Sequence, residues 1–359
     1  MHDRSFPGTR KDRFKEVGYA GRGEVHDHPV TFWGSGYNRP MRSNSAPSGI
    51  VVGLVLLVGI LAASTAALFI RLAYAVEGSG SVGLGLLLAM VRLSVASLVL
   101  LPAWWGIRKT SLKPGALRYA VLAGIFLGAH LALWITSLAY TSIAASATIV
   151  TTNPIWVALI LWLWRSETPS HLTIAGIIVA FSGGTLIAVG DAGGASAGSK
   201  PLLGDLLALG GALTVSLYLI FGREAQYRGM GVGQYVATAY VVGAVTLLPT
   251  PLLLGSGYSG WPGEVYLYGL LLAFVPQLVG HTSFNWAVRW VSPTLVALVI
   301  LAEPVGSSVL GYLVFGEVPG PLVLGGAAVL LIGVAGAVWG EGARSGTVRK
   351  PDGVPTGPD

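Results

Sequence analysis

Between positions 50 and 340 polar residues are sparse, and those that interrupt the apolar runs mark out the elements of the chain. Ten stretches, near 50–73, 82–104, 117–139, 143–164, 171–190, 203–222, 233–254, 265–288, 293–315 and 320–340, remain predominantly apolar. Each has roughly the 20-residue length needed to cross a bilayer as a helix. The separators carry glycine, proline and serine, as in Glu77-Gly-Ser-Gly-Ser and Asp191-Ala-Gly-Gly-Ala-Ser-Ala-Gly-Ser. Such breaks predict ten membrane helices joined by short turns.

The pattern repeats. Residues 142–190 fall without a gap on residues 292–340, 150 positions later. Ser142 meets Ser292, Pro154 meets Pro304, Glu167 meets Glu317 and Pro169 meets Pro319. Gly176, Gly183 and Gly190 meet Gly326, Gly333 and Gly340. Two halves of five spans each must lie upside down relative to one another, an arrangement found mainly in secondary transporters. The predicted fold is therefore an all-α polytopic membrane protein of ten transmembrane helices in two inverted five-helix repeats.

Composition agrees: 53% of the 359 residues are hydrophobic and 11% charged, with a mean hydropathy of +0.69. A soluble domain carries about 25% charged residues. The net charge of +6 raises the question of nucleic acid, but its placement answers it. Of the 22 Lys and Arg, 19 lie in the N-terminal arm, the C-terminal tail and alternate short loops. That is the positive-inside distribution. It puts both termini in the cytoplasm of a multi-pass protein of the cell membrane, and no nucleic-acid partner is needed to explain the basicity. With no cysteine, thiolate metal sites and cysteine nucleophiles are excluded. No metal or cofactor signature appears.

The boundaries read as a polar arm over 1–49, a first repeat over 50–190, an external linker over 191–202, a second repeat over 203–340 and a tail over 341–359. The arm has no apolar core and is neither a signal nor a transit peptide. It reads as disordered, and the tail as mobile. Met41-Arg42 directly precedes the first span, so Met41 is taken as the true start and 1–40 as an upstream extension.

Polar side chains at membrane depth are costly, and they face a cavity or the bundle interior. In the third span His130, Trp134 and Ser137 share one helix face, while Gly124 and Gly128 form a small-residue face for close packing. In the eighth, Gln277, His281 and Asn285 form a stripe beside Trp286, with Pro276 preceding it. The two histidines lie 151 positions apart, so the repeat makes them near equivalents. Each is read either as a cavity residue or as a hydrogen-bonded core histidine.

Asn153-Pro154 and Glu303-Pro304 occupy equivalent mid-span positions. Proline removes one intrahelical hydrogen bond and clashes with the carbonyl four residues back, here that of Val150 and of Ile300. The outcome is a packing kink or a pair of broken helices beside a substrate pathway. Glu303 is a candidate proton carrier or a member of a structural ion pair. Arg92, midway along the second span, is its natural counter-charge, and pairing with it would hold Glu303 ionised. Arg71, near the outer end of the first span, is placed to reach the interface.

Two motifs are set aside. Gly78-Ser-Gly80-Ser-Val-Gly83 matches a dinucleotide fingerprint but follows a membrane span rather than a strand. Gly257-Tyr-Ser259-Gly260 resembles the serine motif of intramembrane proteases, with His281 as a conceivable base, but falls in an external loop.

Read together, these residues resemble the EamA family of the drug/metabolite transporter superfamily. The first half carries His130-Leu-Ala-Leu-Trp134, Leu138-Ala-Tyr-Thr-Ser142 and Asn153-Pro-Ile-Trp156-Val-Ala. The second carries Val275-Pro-Gln277-Leu-Val-Gly280-His281, Asn285-Trp286-Ala, Ser292-Pro-Thr-Leu-Val-Ala-Leu, Glu303-Pro and Gly316-Glu317. The resemblance covers about residues 50 to 340. It implies two EamA repeats, a central cavity lined by helices 1–4 and 6–9, and helices 5 and 10 at the periphery. It also implies export of amino acids, metabolites or amphipathic compounds, often against proton entry. Arg71 stands where many relatives have lysine, and the basic arm is foreign to the family core.

The expected protein is thus not an enzyme but a transporter working by alternating access on a small-molecule substrate. Its cavity is expected from His130, Trp134, Asn153, Tyr218, Gln277, His281, Asn285 and Trp286. Glu303 and Arg92 are the coupling candidates, and Pro154, Pro276 and Pro304 the helix breaks. A passive facilitator with the same cavity and an intramembrane serine protease are the rivals. The sequence leaves the oligomeric state open.

Overall fold

The computed structural model describes residues 47–347 apart from 79–80, 138–139, 141–145, 147–148, 167, 192–199 and 317–319. The arm over 1–46 and most of the 191–202 linker lie outside the described residues. Everything described is helix, turn or loop, with no strand among the described residues.

The principal helices among the described residues are, in chain order, α1 (Gly49–Glu77), α2 (Val82–Leu100), α3 (Ala116–Ser137), α4 (Asn153–Arg165), α5 (His171–Asp191), α6 (Pro201–Tyr227), α7 (Val232–Leu247), α8 (Gly263–Ala287), α9 (Pro293–Phe315) and α10 (Pro321–Thr347). Seven of them are long and apolar enough to cross a membrane, while α4, α5 and α10 contain shorter apolar helices. Their outer faces expose leucines such as Leu54, Leu57, Leu61, Leu313 and Leu331. An apolar surface of that extent suits contact with lipid rather than water. The start of the predicted fourth span falls largely outside the described residues. At the other end α10 continues to Thr347, past the expected boundary at 340, since the next proline is Pro351.

Local chemistry sets the ends. Ser48, Ser81 and Ser292 each accept a backbone N–H three residues on, from Val51, Leu84 and Leu295. These side chains satisfy donors that a helix start leaves open. Two C-termini are pseudo-symmetric: α4 ends at Ser166 (φ 55°) and α9 at Gly316 (φ 69°), 150 positions apart. Ser166 N–H donates to the Trp162 carbonyl at 2.9 Å, and Gly316 N–H to the Tyr312 carbonyl at 3.0 Å. A left-handed residue other than glycine costs roughly 1–2 kcal/mol. Ser166→Gly is therefore expected to stabilise the protein by about 1 kcal/mol, seen as a higher melting temperature in detergent.

The halves meet through small residues. At Gly176 an added Cβ would lie 2.6 Å from the Ala337 nitrogen, and at Gly183 it would lie 2.3 Å from that of Leu330. Carrying both contacts to their repeat equivalents gives Gly326 with Ile187 and Gly333 with Ala180, and both occur, at 2.8 and 2.2 Å. Helices α5 and α10 are thus antiparallel across a local twofold axis that relates residue i to residue i+150. Without a hydrophobic drive between helices in lipid, such close approach is what makes them adhere. The predicted small face of α3 works the same way: Gly124 and Gly128 meet α7 at Ala239, Val242, Gly243 and Thr246.

On the side predicted to be cytoplasmic, Arg228 secures the turn before α3. It pairs with Glu224 at 2.8 Å, donates to the Pro114 carbonyl and covers the Tyr119 ring at 4.7 Å.

Candidate functional site

Both proline positions interrupt their helices. Leu301 and Ala302 form a turn between the segments Pro293–Ile300 and Glu303–Phe315 of α9, and Thr151 and Thr152 form the equivalent turn before α4. Asn153 and Glu303 therefore open half-helices, each with its proline at the second position, where no intrahelical N–H is needed. The two breaks are braced identically. Ser216 of α6 donates to the Asn153 carbonyl at 3.1 Å and to its own Ala212 carbonyl at 2.7 Å. Ser64 of α1 donates to the Glu303 carbonyl at 3.2 Å and to its own Ile60 carbonyl at 2.8 Å. Gly306 allows that approach, since a Cβ there would lie 2.2 Å from Ser64 Oγ. Sequence reading missed both serines, although they stand 152 positions apart and the repeat could have paired them.

Pro276 produces a different distortion. Ala273–His281 within α8 winds as a π-helix, a widening common at functional sites. It sets Gln277 and Asn285 into the core, both fully buried. Arg92 of α2, 4% exposed, donates from Nε to Gln277 Oε1 at 2.6 Å. Tyr240 of α7 donates to the Gln277 carbonyl at 3.3 Å and lies 3.2 Å from Thr282 Oγ1. Asn285 Nδ2 donates to Tyr218 Oη at 2.5 Å and, more weakly, to Tyr240 Oη at 3.4 Å. Gln226 Nε2 donates to the Asn285 carbonyl at 2.7 Å. One hydrogen-bonded network thus joins α2 of the first half to α6, α7 and α8 of the second. Tyr240, Gln226 and Thr282 were not singled out in the sequence, because lone polar residues in apolar helices carry no spacing signal.

Arg92 does not form the anticipated ion pair. No contact within 4 Å joins it to Glu303 among the described residues, although each lies in the other's electrostatic field. That field also takes in His130 and His281, which influence one another. Arg92 thus acts at a distance on both repeat-related histidines and on Glu303.

The remaining candidates divide. His130, half-buried, uses Nδ1 to engage the Gly211 carbonyl at 2.9 Å, and its ring stacks on Trp134 at 6.1 Å. His281 meets the edge of Phe284 at 6.0 Å and Trp286 pairs with Trp290 at 6.0 Å, and neither joins the network among the described residues. Asn153, buried, is braced by its backbone. Ser259 is exposed in the loop before α8, outside any helix. Arg71 lies over the Phe315 ring at 4.5 Å. Among the described residues no group of three or more His, Asp or Glu could hold a metal ion.

Repeated halves around a buried polar centre, with discontinuous helices beside it, are an arrangement found in membrane transporters. Residues 50–189 and 202–339 each match the EamA-like transporter family, and the chain belongs to that family. It is 26% identical over 251 residues to an uncharacterized transporter, YyaM, of Bacillus subtilis, covering 68% of this chain and 78% of that one. It is 28% identical over 183 residues to a probable terminal-alkyne amino-acid exporter of Streptantibioticus cattleyicolor, covering 50% and 59%. A protein of known crystal structure shares the fold at a TM-score of 0.67 and 19% identity, covering 83% of this chain and 99% of that one. The chain is accordingly a multi-pass membrane transporter with a small-molecule substrate.

Proposed function

We propose that the protein is a proton-coupled exporter of small organic solutes, built from ten spans in two inverted five-helix halves. It sits in the cell membrane with both termini in the cytoplasm. The observation that carries this reading is the network anchored by Arg92–Gln277, which joins the two halves at mid-span. Rocking of one half against the other around such a centre exposes it to each side in turn. The two braced breaks, at Asn153 and Glu303, supply rigid half-helices that move as units. Glu303 stands where the first half has Asn153, so one half offers an exchangeable proton and the other does not. The named exporter among the relatives supports outward movement of the solute.

The test is transport in proteoliposomes. An imposed pH gradient is expected to drive at least one amino acid or cationic amphiphile above its equilibrium distribution. Equilibration without accumulation would instead make the protein a facilitator. Loss of activity in Ser259→Ala would favour the protease alternative, and full activity is expected.

A further inference from the structure

Building on the transporter reading, we infer that Arg92 and Gln277 form a carboxylate-binding subsite, and that the solute carried is a zwitterion with a free carboxylate. An amphipathic cation does not fit the same centre.

The subsite is defined by its donors. Gln277 Oε1 is taken by Arg92 Nε, so the amide presents Nε2 as its donor. Arg92 Nη2 lies on the same edge of the guanidinium as Nε, beside that amide. Both Nη2 and Nε2 are buried, and neither has a hydrogen-bond partner among the described residues. Leaving two such donors buried and unmatched is costly, the more so on a charged group. Two neighbouring donors at one edge match the two oxygens of a carboxylate. Farther along the same network, Asn285 Oδ1 is a buried acceptor that likewise has no partner among the described residues. Donors left over at one end and an acceptor at the other suit a ligand carrying both signs.

Charge balance decides among ligand classes. Arg92 and an ionised Glu303 bear opposite charges that sum to zero. A zwitterion leaves that sum unchanged. An amphipathic cation or a simple carboxylate adds one uncompensated charge to a buried site. A phosphate dianion adds two, with one guanidinium to receive it and Glu303 opposing it.

The experiment is thermal stability of the purified full chain against matched probes: the proteinogenic amino acids, their methyl esters and tetraphenylphosphonium. At least one free amino acid is expected to raise the melting temperature, and its ester is not. Arg92→Gln should abolish the response. Arg92→Lys should weaken apparent affinity by about 30-fold or more, since it keeps the charge but loses the planar fork. Should Arg92→Gln fail to fold, Gln277→Glu takes its place. Its carboxylate lies on Arg92, so the ligand-free protein should melt higher and respond to no amino acid.

The subsite is overturned if esters stabilise as well as acids, if no free amino acid stabilises, or if Arg92→Gln or Gln277→Glu keeps the wild-type response. Gradient-driven accumulation of tetraphenylphosphonium with no amino-acid response sinks the subsite and leaves the transporter reading standing. Failure of every probe to accumulate under a gradient removes the proton-coupled exporter reading on which the subsite rests.

Discussion

Glu303→Gln is expected to abolish accumulation of substrate under a pH gradient while leaving solute exchange across the membrane intact. The substitution keeps volume and shape and removes only the group that takes up and releases a proton, so packing around the break should survive. Glu303 opens the second segment of α9, where the positive end of the helix favours a carboxylate. Arg92 acts on it through the field without a direct ion pair. Among the described residues no ion-pair partner locks it, as a group that must cycle between two protonation states requires. Accumulation should fall to that of protein-free vesicles, a loss of at least about 100-fold if the proton step is obligatory, judged by the 10²–10⁴ contribution of positioned proton transfer. Counterflow, which needs no net proton movement, is the control. Gradient-driven uptake that survives in Glu303→Gln would remove this residue from coupling.

The largest effect on stability is expected at the seam between α5 and α10. Gly183→Ala and Gly333→Ala would each place a Cβ within 2.3 Å of a backbone nitrogen, at Leu330 and Ala180 respectively. Backbone cannot step aside as a flexible side chain does, so the helices must separate along their length. Overpacking costs typically 1–3 kcal/mol, occasionally more, and each substitution is expected at about 3 kcal/mol. Gly325 and Gly336 supply the comparison. They lie on the same α10 with nothing within 4 Å of an added Cβ, so alanine there should be neutral or stabilising by up to about 1 kcal/mol. Melting temperatures in detergent separate the cases. Equal effects at Gly333 and Gly336 would mean that the seam is looser than its distances indicate.

Much of the architecture was legible in the chain. The long apolar helices, seven of them able to cross a membrane, and the small face of α3 follow from apolar length and glycine spacing. The 150-residue register also forecasts which contacts recur across the α5–α10 seam. The breaks were legible at Asn153-Pro154 and Glu303-Pro304, since proline cannot donate within a helix. The candidate site was legible only in part. Gln277, Asn285 and Tyr218 entered the network, but Trp286 turned to Trp290, and His130 took up a backbone carbonyl as a core histidine does. Tyr240, Gln226, Ser64 and Ser216 went unseen, because what matters about them is which other helix they face.

The partner of Arg92 shows the same limit. Opposite charge made Glu303 the natural choice, yet the π-helical widening at Pro276 brought Gln277 to the guanidinium instead. By itself the sequence determined the membrane class, the duplication and the family. Each of these rests on local composition or on a fixed offset along the chain. Tertiary structure alone decided which buried polar groups bond, which atoms stay unmatched and that Arg92 and Glu303 stand apart. Those outcomes depend on helix rotation and local winding, where one extra residue in a turn redirects a side chain, and no periodicity along the chain records it.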